Sequence, residues 1–252
     1  MVTTHHSLAI MKQQLLLATL LLPLLALSTL SQGNRISFPL TNGPNNVGTE
    51  FYLSFPANWE SAAGEKYVRL YITADVETNV VVTAGEVFLR EVLTVPNDIV
   101  TVDIPHNIAQ VFVRDDRAPV PDDRVYEGAA VRITATEPIA VYGMNRTSFT
   151  SDGLLALPTS GLGRNYIVAS ASSVAGGQQE LPSQLMVVAA HENTRVRIRL
   201  ADDTPNHSEG DTVTVDLEAG DVYSMMAPGF NADLTGTVIW SDKPIAVMAG
   251  QN

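Results

Sequence analysis

The chain has 252 residues, 45% of them hydrophobic and 17% charged, a formal net charge of −12 and no cysteine. This composition excludes a disordered chain and supplies a core for about one or two domains. The negative balance sets nucleic acid aside as a partner, and the lack of thiols removes disulfides, thiol catalysis and thiolate metal sites.

Leu15 to Leu27 form an apolar run behind Lys12 and ahead of Ser28, Thr29 and Ser31, the layout of a secretory signal. The run is shorter than the roughly 20 residues of a spanning helix and contains Pro23, so a removed leader is expected rather than an anchor. Residues 1–31 are assigned to this signal peptide, with Met11 as an alternative start. The mature chain is then secreted or held at the cell surface, with no membrane insertion once the signal is removed. Residues 32–47, rich in Asn, Gly and Pro, are expected to form an extended arm.

Gly48 to Pro56 is the first expected strand. Tyr67 to Ala74 alternates, with Val68, Leu70 and Ile72 on one face and Tyr67, Arg69, Tyr71 and Thr73 on the other, as a half-buried strand does. Asp75 to Thr78 supplies a turn and Asn79 to Thr83 the return strand. Glu86 to Val95 and Ile99 to Ile104 follow, separated by Pro96-Asn97-Asp98. After a polar loop from Arg114 to Arg124, strands at Val125 to Thr134 and Ile139 to Tyr142 close a first unit. No segment of the mature chain keeps apolar residues at helical spacing over three turns, and β-branched residues are abundant, so the fold expected is all β. A short helical turn fits only within Leu154 to Leu162.

The wording of this unit returns. Glu137-Pro138-Ile139-Ala140-Val141 comes back as Lys243-Pro244-Ile245-Ala246-Val247, Gly48-Thr49-Glu50-Phe51 as Gly163-Arg164-Asn165-Tyr166, and Thr78-Asn79-Val80-Val81-Val82 as Thr194-Arg195-Val196-Arg197-Ile198. Thr101-Val102-Asp103 is matched with Thr214-Val215-Asp216 in the same way, and a deletion of the acidic loop would account for the shorter second copy. The expected architecture is a tandem pair of similar antiparallel β-sandwich-like units, 48–145 and 163–252, joined by a connection at 146–162. The chain ends directly after the expected closing strand of the second unit, so one module of a longer polypeptide, or a fragment of one, is expected.

Chemistry is sparse. Ser151-Asp152-Gly153 is expected as a turn in the connection, with a positive φ at Gly153; no G-x-S-x-G elbow surrounds Ser151. His191-Glu192 has no second His four residues on, as a zinc hydrolase would require, and is expected to lie in a turn. A glycosidase pair of carboxylates would need an aromatic-lined cleft, and aromatics are only 6%. Asp115, Asp116, Asp122 and Asp123 crowd one loop, where carboxylate oxygens could gather a calcium ion; interspersed Arg114, Arg117 and Arg124 favour a solvated acidic loop without metal. Trp59 and Trp240 are expected in the core rather than at a recognition rim.

GTEFYLSFP (Gly48 to Pro56), YITA with a following ETNV (Tyr71 to Val80), EPIAVYGMN (Glu137 to Asn145), TSDGLLALPTSGLG (Thr150 to Gly163), YIVAS (Tyr166 to Ser170) and SDKPIAV (Ser241 to Val247) occur in that order. The set resembles the N-terminal domain of the IgG Fc-binding protein family over about residues 46 to 252. The resemblance implies a noncatalytic binding or adhesion module without cofactor, with an extracellular protein, immunoglobulin Fc-like among the candidates, or a glycan as partner. The inter-unit connection, Ser151, Asp152, Gly153, Leu154 and Pro158, is the expected contact region, since loops on rigid β scaffolds carry recognition. A ligand-free structural spacer is the alternative, and an extracellular hydrolase the third reading.

Overall fold

A computed structural model describes residues 46–58, 66–115, 118–147, 150–176 and 179–251. The expected leader, nearly all of the arm, Trp59 and Asp116 lie outside the described residues. The first half supplies β1 (Val47–Leu53), β2 (Tyr67–Thr73), β3 (Asn79–Ala84), β4 (Phe88–Leu93) and β5 (Ile99–Ile104). A one-turn helix α1 (His106–Ala109) leads to β6 (Val113–Asp115), β7 (Ala118–Val120), β8 (Asp123–Tyr126), β9 (Val131–Arg146) and β10 (Ser151–Leu155). A 3₁₀ turn at Thr159–Gly161 opens the second half, with β11 (Gly163–Ile167), β12 (Val174–Gly176), β13 (Gln179–Leu181) and β14 (Ser183–Ala189). β15 (Thr194–Arg199), β16 (Thr212–Leu217), β17 (Val222–Ala227) and β18 (Val238–Gln251) complete it.

These strands build two seven-stranded antiparallel sheets. The first runs β4-β3-β9-β2-β5, with β1 and β10 also on β9; the second runs β16-β15-β18-β14-β17-β8, with β11 on β18. Exchanging β1, β2, β3, β4, β5 and β9 for β11, β14, β15, β16, β17 and β18 turns one order into the other, so the fold is a tandem pair of like sandwich-like units. The same topology corrects one sequence match. Thr101-Val102-Asp103 lies in β5, whose counterpart is β17, whereas Thr214-Val215-Asp216 lies in β16, the counterpart of β4. Both triplets place an Asp opposite an arginine of the adjacent strand, Arg69 with Asp103 and Arg195 with Asp216. The shared wording therefore reflects one cross-strand ion-pair device used on two different strands.

Each half is organised around one long strand that changes neighbours. β9 lies beside β3 and β1 over its first residues, beside β2 from Ala140 onward and beside β10 from Tyr142 onward. Between these stretches the β1 ladder slips, Gly48 pairing with Ile139 and Glu50 with Thr134. The second half repeats the slip, Gly163 pairing with Ile245 and Asn165 with Trp240. Pro138 and Pro244 fall within these irregularities, where a residue without a backbone N–H costs the ladder nothing. Ile139 and Ile245, the next residues, are both fully buried.

The alternation dictates the cores. Val68, Leu70, Ile72, Val80, Val82, Ile133 and Val141 meet inside the first half, and Leu185, Val187, Val196, Ile198, Met225 and Ile239 inside the second. Both sheets belong to one compact unit, Gly43–Asn252. A third cluster joins them: Tyr52, Val111, Ala130, Met186, Val188, Val222 and Ala246 pack together. Gln184, 1% exposed, adds a polar seam, its Oε1 accepting from Ala57 N at 2.9 Å and its Nε2 donating to Ala57 O at 3.0 Å.

Several expectations are corrected. The Arg114 to Arg124 segment is not a plain loop: β6 pairs with β7, and β8 leaves the first half to extend the second sheet beside β17. Ser151-Asp152-Gly153 is no turn but part of β10, paired with Arg146, Asn145 and Met144. Gly153 accordingly does not have a positive φ. The free side of β9 offers a complete row of ladder partners, and that outweighs local turn preference. Trp240 is 41% exposed, because Arg197 and Asn165 flank it on the ladder and the core-facing parity falls on Ile239. The break at Pro96-Asn97-Asp98 is present, with Asn97 at φ 61. The helical turn within 154–162 is the 3₁₀ turn, but it is not alone, since α1 forms a second turn outside that stretch.

Candidate functional site

A cleft of about 480 Å³ opens where the two sheets approach. One wall is β10 with the residues after it, Ser151 to Leu157; the opposite wall is the end of β18, Ala246 to Gln251, and Tyr52, Phe55, Asn145 and Tyr166 are among the residues between them. The walls follow from the strand switch. Residues 142–146 of β9 need a neighbour on each side, so the chain after Arg146 doubles back as β10 and leaves its outer edge toward the second half. Gly143 permits this packing, since a Cβ there would lie 2.8 Å from the Phe55 ring.

Of the expected contact residues, Ser151, Asp152, Gly153 and Leu154 line the cleft. Pro158 does not; it is buried against Gly48, where a Cβ on the glycine would fall 2.4 Å from the Pro158 Cβ. Asp152 is the only charged residue among the described residues of the lining. It is exposed at its surface, yet the surrounding apolar walls remove water from its carboxyl and raise its pKa. Asp152 sits directly opposite Asn145 on the ladder, so the two side chains share a face. Asn145 is 2% exposed; its Nδ2 donates to Pro56 O at 3.1 Å, while its Oδ1 has no hydrogen-bond partner among the described residues. The Tyr166 hydroxyl is used structurally, donating to Ile245 O and accepting from Gly163 N, each at 2.7 Å, and burial raises its pKa. The contributions of Asn145, Tyr166 and Ala246 to Gln251 were not legible as site residues. Their one signal is the repeat itself, which sets the end of β18 at the ladder position that residues 140–145 hold in the first half.

The acidic segment does something else. Asp123 is 7% exposed, and its carboxylate collects the Tyr223 hydroxyl, Thr204 Oγ1 at 2.6 Å and His207 Nδ1 at 2.6 Å. Asn206 Nδ2 adds a bond to Asp123 O at 3.1 Å. Burial, and then the Asp123 carboxylate itself, push the Tyr223 hydroxyl pKa far up. Asp122 accepts from the Tyr126 hydroxyl and lies 3.4 Å from Arg124 Nε; burial raises its pKa. The donors on the Asp123 carboxylate, from residues 204, 207 and 223, pin β8 to the second sheet, whereas those on Asp122 come from β8 itself and its buried Oδ1 has no partner among the described residues. Asp115 lies in β6, away from this knot in the chain. Among the described residues no three His, Asp or Glu side chains are gathered as a metal would require.

Fold and cleft define a duplicated all-β protein with a mostly apolar recess between its sheets. Residues 152–252 match the family model described as IgGFc binding protein, the family that the ordered motifs resemble. The match begins inside β10 and runs through β18. That family is described as one of binding proteins. No curated protein and no solved structure matches the chain. No helix among the described residues is long and apolar enough to cross a membrane.

Proposed function

We propose that the mature chain is a secreted or cell-surface binding and adhesion module that holds an extracellular protein, Fc-like domains included, or a glycan in the cleft between its sheets. The observation that carries this reading is the cleft itself, built by two rigid strands, β10 and β18, from the two copies of one unit. Concave, mostly apolar recesses with a few polar groups are the common form of a binding site. A hydrolytic reading has less support, since glycoside hydrolysis uses a pair of carboxyl groups and the lining holds one.

The test is capture of immunoglobulin Fc and of arrayed glycans by the mature protein and by Gly250→Phe. Gly250 lines the cleft and a Cβ there meets nothing within 4 Å, so a side chain at this position is expected to enter the cleft while the strand is kept. Saturable binding that Gly250→Phe abolishes supports the proposal. Binding unchanged by Gly250→Phe overturns the cleft as its site, and binding to neither class overturns it altogether and leaves the spacer reading.

A further inference from the structure

The lining contains no lysine, arginine or histidine and one carboxylate, Asp152. Among the described residues this carboxylate has no ion-pair or hydrogen-bond partner, and burial disfavours its charge. Across the ladder stands the Asn145 amide, fixed through Nδ2 and left with an unpartnered, buried Oδ1. Two acceptors without a donor thus share one face of one strand pair, at a separation typical of direct cross-strand neighbours, about 4.5–5.5 Å between Cβ atoms. Around them are Phe55, Leu154, Leu155, Tyr166 and Met248, surfaces suited to an aliphatic stem. An unsatisfied buried acceptor costs free energy until a donor arrives, and a carboxylate that apolar neighbours partly desolvate is favoured in its charged form by a cation beside it.

We infer that the cleft receives a cation on an apolar stem, a lysine or arginine side chain projecting from a protein partner, with its charge against Asp152 and an N–H on Asn145 Oδ1. The assignment rests on the cleft being the binding site, as proposed above. A guanidinium fits the pair best, since its planar fork presents several donors at once and is weakly hydrated. The formal charge of −12 draws such a partner toward the protein. A glycan is the poorer fit, because the Tyr166 hydroxyl is already committed to Gly163 and Ile245.

The probes are n-butylguanidinium and n-butylammonium, with n-butanol and a disaccharide for comparison, titrated into the isotopically labelled mature protein and followed by NMR. Saturable shifts at residues 151–155 and 246–251 are expected from both cations. Asp152→Asn should weaken them about tenfold or more, the scale of a lost charge-assisted hydrogen bond, and Gly250→Phe should abolish them. Equal affinity for the cations in Asp152→Asn overturns the assignment. Tighter binding of n-butanol or the disaccharide, lost in Gly250→Phe, overturns it while leaving the cleft as the site. Cation shifts that survive Gly250→Phe, or the absence of any saturable shift, overturn the cation and the cleft together.

Discussion

Asp123→Ala tests whether the buried knot fixes the position of β8. The substitution removes the acceptor for the Tyr223 hydroxyl, for Thr204 Oγ1 and for His207 Nδ1 at once. Tyr223 and Thr204 are 4% and 6% exposed, so water does not replace the lost carboxylate, whereas the His207 side chain is 34% exposed and recovers a solvent partner. Each stranded buried donor costs about 1–3 kcal/mol, and the set roughly 3–5 kcal/mol. For a chain of this size that is a fall in Tm of roughly 6–20 °C. Urea denaturation monitored by Trp fluorescence, with hydrogen exchange at the β8 amides, reads both quantities. The exchange of residues 123–126 should accelerate more than that of β2 or β3. Adding Tyr223→Phe should restore part of the loss, because it removes the orphaned hydroxyl. A cost below about 1 kcal/mol, or equal exchange throughout, would refute the reasoning.

Other consequences are as concrete. Gly48→Ala should destabilise by about 1–3 kcal/mol through overpacking against Pro158, while Gly163→Ala, whose nearest neighbour is the Tyr166 hydroxyl at 3.2 Å, should cost less; paired melting curves decide the order. Ile139→Val and Ile245→Val, at equivalent buried positions, should each cost about 0.5–1.5 kcal/mol and add independently in the double variant, as measured by chemical denaturation. Asp152 has a folded-state pKa raised by burial, so its ionised form opposes folding above that value and the penalty disappears below the unfolded pKa of about 3.9. Asp152→Asn should therefore be at least as stable as the parent at pH 7, an advantage that shrinks as pH falls toward 4; urea midpoints across that range would contradict the assignment if they diverged instead.

The strands and the duplication were legible because period-two alternation and a repeated Pro-Ile-Ala-Val survive in the one-dimensional text. The match of Thr101-Val102-Asp103 to Thr214-Val215-Asp216 failed for the same reason: a short β vocabulary with an Asp placed for an arginine recurs on strands that are not equivalent. β10 was missed because Ser151-Asp152-Gly153 has turn chemistry, and only the bare side of β9, a property of the assembled sheet, recruits it as a strand. The cleft was half visible. Residues 151–154 were singled out, but the orphan Oδ1 of Asn145 and the wall at 246–251 depend on packing across the two sheets. The donors that converge on Asp123 come from residues 204, 207 and 223, and no local spacing announces such a meeting.

The loan of β8 to the second sheet makes the two copies unequal partners. Had they stayed interchangeable after duplication, either could be transplanted alone; instead the later copy carries an edge whose covering strand is encoded upstream of β9. A genetic cut anywhere between β8 and β11 separates borrower from lender and bares the rim of β17 to any passing chain. The heritable cassette is thus the pair, and a boundary drawn at Asp152 marks where the family match begins without marking where a self-sufficient body begins.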